Sequence, residues 1–584
     1  MTRLQASFLV LLLWAGIYLP GLGSTELKGE EGRRILPAIT MLETRNWLVP
    51  YVGGKPFLRK PPLVNWAIAM SFKITGVRNE WTARMPSALC VLALVLTIVG
   101  TSGRGWMNAE TAFVAAVIAM TQAGLLAKAR FAGAEIEGIY APLSGIAIVC
   151  WLAWWSRGRS PWLVWVVPGF VLGLASLAKG PSFHLVFFYA IVLTVLGTAR
   201  RWRNLLHPAH FAALAVCAGI FAAWAVPYFK TPEAKDAAAV WKRQGIDRFT
   251  DSDFDAGNYF MNLPRGLADQ LPWLVFAPLL VVAVRRGKNG ESRSLEDDDK
   301  RASPQVSESH ARDEQTSKNL ETASAISAEN FSNSAFRALA WATGACFFLV
   351  LFIPGALPRY VLPLGAPIAV LLALTLAREE ENSRVLRRWH FVNRALAALL
   401  LIGCCAAPFA VSASQRAPGG PPPNFLLAIK AALLCAPLLA LGAFIVARRP
   451  VRLRAGGLAG ASAALLAMAM SLFAIALIPW MTRRDDVRPL AAAIDAAIPR
   501  GESLILYDPG WLAAIFYLRT PYRYALSRDE IPAGGAWVLV RGKERGRFTE
   551  KRPDLAVAQT FSQRKGEELF LLQPRAETKK LPTR

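Results

Sequence analysis

The chain of 584 residues is 54% apolar, holds 19 tryptophans and carries a formal net charge of +25. That combination excludes a string of soluble domains and places the chain among polytopic membrane proteins. Its Lys and Arg residues fall in short clusters beside apolar runs rather than along one face, which marks membrane topology and argues against a nucleic-acid partner.

A membrane-crossing helix needs about 20 mostly apolar residues. Thirteen such stretches are expected, at about 4–22, 85–103, 109–128, 136–156, 161–178, 181–198, 207–228, 267–284, 335–354, 358–377, 392–413, 424–447 and 456–480. The first, behind Arg3, has the makings of a signal peptide, but the run from Phe8 to Leu22 is long for a signal core and no A-x-A site follows it. It is expected to stay attached. All seven cysteines (Cys90, Cys150, Cys217, Cys346, Cys404, Cys405, Cys435) lie within apolar runs, so neither a disulfide framework nor a metal-ligand spacing is read from them. Alternate loops carry Arg3 and Arg104 singly and Arg157, Arg200, Arg285, Arg384 and Arg448 with basic company, and the positive-inside rule makes that side cytoplasmic. The N-terminus is then cytoplasmic, and the polar first loop (23–84), the loop 229–266 and the tail face outward together.

Within the first loop, Glu30 and Glu31 precede Ile35, Ile39 and Leu42 at helical spacing, with Arg33 and Arg34 near the start. This predicts an amphipathic helix along the interface. The acids either favour the positive end of its dipole or are free to take a proton. Arg59-Lys60-Pro61-Pro62-Leu63 opens a second interfacial helix carrying Trp66, Ile68, Met70 and Phe72. Lys60 there is either a snorkelling lysine on bulk lipid or a specific phosphate ligand.

Farther on, Glu135 and Glu137 follow Arg130 at the head of the fourth span, where a carboxylate is usually paired or functional. The loop from Lys230 to Gln270 mixes Trp241, Arg243, Arg248, Tyr259 and Phe260, suited to a sugar or headgroup or to an aromatic belt. In the outward turn before span ten, Arg359 and Tyr360 follow Pro358; Arg359 either reaches a phosphate or anchors the helix. Residues 287–333, rich in Ser, Glu, Asp and Lys, read as a disordered cytoplasmic linker whose acidic run Glu296 to Asp299 is a solvated charge block. After the membrane part (1–480), residues 481–584 read as a small α/β domain. It has helices at 487–498 and 509–518 and strands at 503–507, 536–540 and 569–572.

The ordered pieces resemble polytopic glycosyltransferases that use a polyprenyl-phosphate sugar, the family of lipid A aminoarabinose transferases and dolichyl-phosphate-mannose protein mannosyltransferases. They are Glu30-Glu31-Gly32-Arg33, Asn46-Trp47, Lys60-Pro61-Pro62-Leu63, Ala83-Arg84, Arg130 with Glu135, Ala178-Lys179-Gly180-Pro181, Trp224 to Tyr228, Arg248-Phe249, Pro272-Trp273 and Pro358-Arg359-Tyr360. The resemblance implies a mainly α GT-C fold of about thirteen spans with interfacial helices and an extracytoplasmic α/β domain. It implies an inner-membrane enzyme that inverts at the sugar while moving it from a polyprenyl-phosphate donor to a lipid or protein acceptor. Glu30 would be the general base, Glu31 and Glu135 would position sugar or acceptor, and Arg33, Arg59, Lys60, Arg248, Tyr259, Arg359 and Tyr360 would bind substrate. No cofactor is implied with certainty and a divalent metal is left open. Glu replaces the family's usual Asp at positions 30 and 135. The histidine many members carry before the pair matched by Tyr259-Phe260 is absent, with Asp253 and Asp255 nearby, and a metal site built with that histidine is not expected. A transporter or flippase is the rival of another class, and a relative without activity is a second; the charges at the outer rim and the lack of a repeated pair of broken helices in the reading favour the enzyme.

Overall fold

The computed structural model describes residues 1–27, 30–243, 256–285, 332–415, 425–448, 450–478, 487–510, 512–532, 536–562 and 568–575. Arg248, Asp253, Asp255 and nearly all of the linker expected at 287–333 lie outside them. The protein is mainly helical, with a small sheet in its tail. Among the described residues, eight helices are long and apolar enough to cross a membrane, or up to ten if each of two bent pairs is one span. Three shorter apolar helices, Arg3–Tyr18 (α1), Phe183–Thr198 and Ala432–Ala447, occupy the remaining expected positions. Apolar helices thus stand at the thirteen expected positions, but only eight to ten of them are long and apolar enough to count as crossings, so the expected number of thirteen spans is not established.

Both bent pairs are departures from the straight spans expected. The first, Ala109–Thr121 with Ala123–Phe131, turns by 55°, and the second, Tyr259–Ala268 with Trp273–Arg285, by 85°. Pro272 lacks the amide that a continuous helix needs and disfavours helical backbone before it. In the first pair Gln122 is extended, at φ −61° and ψ 131°. A broken helix in an apolar setting must satisfy its freed backbone groups internally. Here the two breaks serve each other: the Ala123 and Gly124 amides donate to the carbonyls of Leu271 (2.8 Å) and Asp269 (2.9 Å). Gln122 Nε2 also donates to Gln270 Oε1 (3.1 Å) and to the Gly365 carbonyl (3.0 Å).

The two interfacial helices form as expected, Gly32–Thr44 (α2) and Leu63–Thr75 (α3). They bury their apolar faces on protein. Ile35, Ile39, Ile68 and Phe72 pack with Ala83, Ile139, Tyr140, Ala175 and Ala178, which seats α2 and α3 on the outer ends of Glu80–Gly100 (α4), Glu137–Ser156 and Pro161–Lys179. Each fully buried Ile or Phe stabilises this seat by about 1.5–3 kcal/mol. Between α2 and α3 a hairpin of Tyr51–Val52 (β1) and Lys55–Pro56 (β2) closes the loop.

The tail contains a five-stranded sheet of Leu504–Tyr507 (β3), Tyr522–Ala525 (β4), Trp537–Arg541 (β5), Leu555–Ser562 (β6) and Glu568–Pro574 (β7), in the order β4-β3-β5-β7-β6. Strands β4 and β6 were not anticipated. Both are edge strands with mostly partly buried or exposed side chains, so neither shows the apolar run of a central strand. The helix expected over 509–518 shrinks to a short turn, Ala513–Tyr517, following positive φ at Asp508 and Gly510.

Candidate active site

The acidic pair at the head of α2 separates into two environments. Glu31 is fully buried and receives a two-pronged pair from Arg84 of α4, Nε to Oε1 at 2.8 Å and Nη2 to Oε2 at 2.9 Å. The Ala134 amide adds a bond of 3.2 Å to Oε1. Arg84 also donates to the carbonyls of Leu22, Thr25 and Glu26. This knot ties the first loop to α4 and to the approach of the Glu137–Ser156 helix. A Cβ on Gly133 would stand 2.8 Å from that of Arg84, so the close approach requires glycine there.

Glu30, by contrast, is half-exposed and held only at the rim. Both its oxygens accept from Arg33 Nη1, at 2.9 and 2.8 Å.

A group of cations gathers around Glu137. Glu137, at the N-terminal end of its helix, and Lys179, at the C-terminal end of the Pro161–Lys179 helix, each sit where the helix dipole favours their charge. Lys179 Nζ donates to Glu137 Oε1 at 3.3 Å, and Arg359 Nε lies 3.3 Å from the same oxygen. The Lys179 ammonium also stands 4.7 Å from the ring centres of both Tyr140 and Tyr360. Lys60 is under the charges of this group and has no hydrogen bond or ion pair among the described residues. Burial pushes its ammonium down to about 8, and the charges of Lys179, Arg34 and Arg359 push the same way against Glu137. Arg34 is likewise lowered to about 10 by burial, while Glu137 and Glu30 hold it up. Arg34 thus feels the charge of Glu30, and its own charge is felt by Lys60.

The other expected residues are distributed differently. Glu135 is buried and pairs with Lys128 at 2.8 Å. Arg130, considered as its partner, instead donates to the carbonyls of Ile17 and Pro20, closing the end of α1. Arg59 is exposed. The Tyr259 hydroxyl donates to the Phe352 carbonyl at 3.3 Å, and Asn262 Nδ2 to that of Ala356 at 3.1 Å, so both brace the turn that carries Arg359. The Tyr360 ring lies tilted at 33° against that of Phe183, 5.3 Å between centres, beside Lys179. Arg34, Glu137 and Lys179 were not among the residues assigned to the site. Their signal was a charge set at the first or last turn of an apolar helix, a position where burial is costly without a purpose. Among the described residues no three His, Cys, Asp or Glu side chains converge as a metal site.

Comparison with known proteins places these features in a family context. Residues 59–226 match the family model described as dolichyl-phosphate-mannose-protein mannosyltransferase. The chain is 26% identical over 295 residues to an undecaprenyl phosphate-alpha-4-amino-4-deoxy-L-arabinose arabinosyl transferase of Pseudomonas aeruginosa, covering 48% of this chain and 49% of that one. It is 28% identical over 290 residues to such a transferase, numbered 2, of Pseudomonas fluorescens, covering 48% and 50%. The chain thus spans about half the length of these curated relatives. In fold, the crystal structure of ArnT from Cupriavidus metallidurans bound to undecaprenyl phosphate matches 97% of both chains with a TM-score of 0.63 at 16% identity. The chain is therefore similar to the polyprenyl-phosphate-sugar-dependent membrane glycosyltransferases, in sequence through part of its length and in GT-C fold nearly throughout.

Proposed function

We propose that the protein transfers a sugar from a polyprenyl-phosphate donor to an acceptor on the outer face of the membrane. The observation that carries this reading is Lys60, a buried ammonium with no hydrogen bond or ion pair among the described residues, under the charges of Lys179, Arg34 and Arg359, with the half-exposed Glu30 acting on the same Arg34. A cluster with surplus positive charge is suited to an anion, and a phosphate that leaves already ionised needs cations rather than an acid. The acceptor hydroxyl needs a base, and a positioned carboxylate contributes roughly 10²–10⁴ in rate. Glu30 is assigned that role, with inversion at the sugar carbon. Glu31 acts through Arg84 and Glu135 through Lys128, as residues that position the loop. The relatives' names favour an aminopentose donor and the matched family model a mannose; lipid A, a glycan or a protein hydroxyl is the acceptor class. The site residues would be fed laterally by lipid, from an inner-membrane position.

The rival transporter reading gains two broken spans, which suit a substrate path. Their freed amides and carbonyls pair with each other, however, and leave little backbone to coordinate a cargo.

The test compares lipid A and secreted proteins by mass spectrometry from cells with and without the full chain, and with Glu30→Gln. Gain of a sugar unit in one pool, lost in Glu30→Gln while the protein still folds, is the expected result. Two unchanged pools would overturn the assignment.

A further inference from the structure

Of the three arginines buried among the described residues, Arg84 and Arg130 have their donors on carboxylate or carbonyl oxygens. Arg34 does not. It is 6% exposed, and its Nε and Nη1 are sealed from solvent without an acceptor. Its guanidinium lies over the Phe57 ring at 5.1 Å, and the Asn65 side chain donates to its carbonyl at 2.8 Å, so both plane and backbone are fixed. Arg33, next to it, is already engaged by Glu30. The fold gives acceptors to Arg84 and Arg130 and leaves two donors of Arg34 unmet, within the electrostatic reach of Lys60, Glu30 and Glu137.

A buried cation held with unmet donors is costly until an anion arrives. Resting on the transferase reading above, we propose that Arg34 is a ligand of the leaving phosphate and grips the negative charge that appears on it during transfer. In the donor the phosphate is a diester with one negative charge. As the acceptor oxygen bonds to the sugar carbon, the bond from that carbon to the phosphate oxygen breaks and its electron pair stays on the phosphate. The acceptor's proton passes to the Glu30 carboxylate, and a polyprenyl phosphate monoester with two negative charges remains. An interaction stronger with the dianion than with the diester lowers the barrier rather than merely tightening donor binding. Arg34 is the residue that supplies it, because its Nε and Nη1, unlike Nη1 of Arg33, are not hydrogen-bonded to a carboxylate.

The test uses the detergent-solubilised full chain, with farnesyl phosphate as the monoester probe and its methyl ester as the diester. The parent protein should bind the monoester more tightly. Arg34→Met should lower monoester affinity about tenfold or more, as expected for a charge-assisted bond, and diester affinity by much less. Without probe, Arg34→Met should unfold at the same or a higher temperature than the parent, because it removes unmet buried donors. In transfer assays its kcat should fall more than its KM rises. If Arg34→Met binds the monoester as well as the parent, or is destabilised without probe, Arg34 is structural and the inference fails while the transferase reading stands. If the parent binds neither probe, the reading itself fails.

Discussion

Lys60 sits at a pKa of about 8 because its ammonium is buried among like charges. The sign of the resulting pH dependence follows directly. Below pH 8 the lysine is charged and the anion site is complete; as pH rises through 8 it becomes neutral and affinity for a phosphate monoester falls. A monoester is already a dianion above pH 7, since its second pKa is about 6, so the ligand adds no change of its own in that window. Farnesyl phosphate titrations between pH 7 and 9 should show the decline, displaced upward with ligand bound, and Lys60→Arg should flatten it. A flat profile in the parent would remove Lys60 from the site. The buried pair Glu31–Arg84 gives a second expectation. Arg84→Met alone strands a carboxylate and should cost about 3–5 kcal/mol of unfolding free energy, whereas Glu31→Leu with Arg84→Met should recover much of it. At this scale the sequence offered Glu30, Lys60 and Arg359 as candidates, as polar residues in loops between apolar runs, each with a structural alternative. Local pattern alone did not separate Glu30 from Glu31, because the burial of Glu31 depends on a partner 53 positions away, and such distance in sequence leaves no local pattern.

At the scale of elements, apolar runs of about 20 residues were legible, and so was the period of α2 and α3. Breaks within spans were not, since Gln122 reads as one polar residue in an apolar stretch and its partner carbonyls come from Asp269 and Leu271. The hairpin β1–β2 was also missed. It is two residues per strand and is held from outside: Lys55 Nζ lies 2.7 Å from Asp508 of the tail, and Gly53, at φ +59°, meets the Gly510 carbonyl where a Cβ would come within 2.3 Å. Alanine at Gly53 is strained in backbone and excluded by contact. Gly53→Ala should therefore destabilise this docking by more than about 1 kcal/mol. Limited proteolysis should then cut the tail sooner, and transfer should slow, because Lys60 follows β2 by only a few residues. Unchanged proteolysis and activity would show that the hairpin's docking is incidental.

Across the whole molecule, the first loop and the tail are one assembly. The Val487 amide bonds to Glu26, Arg488 Nη2 to the Ser24 carbonyl at 3.0 Å, the Leu27 amide to the Tyr517 hydroxyl at 3.0 Å, and that hydroxyl to Glu80 at 2.9 Å. At the other end, Arg3 and Arg157 crowd Gly103, and Arg454 pairs with Glu381 at 2.6 Å. The chain thus has a basic end and an end bearing Glu30 and Lys60, and the positive-inside rule orients the basic one toward the cytoplasm. A single cysteine introduced at an exposed position of each end, in a chain whose own cysteines are replaced by alanine, tests that orientation. Arg519→Cys should react with a membrane-impermeant maleimide in intact spheroplasts, and Arg387→Cys only after permeabilisation. The reverse result would place the phosphate cluster in the cytoplasm. Polyprenyl donor and acceptor would then have to meet there, and an acceptor already exported could not be the substrate.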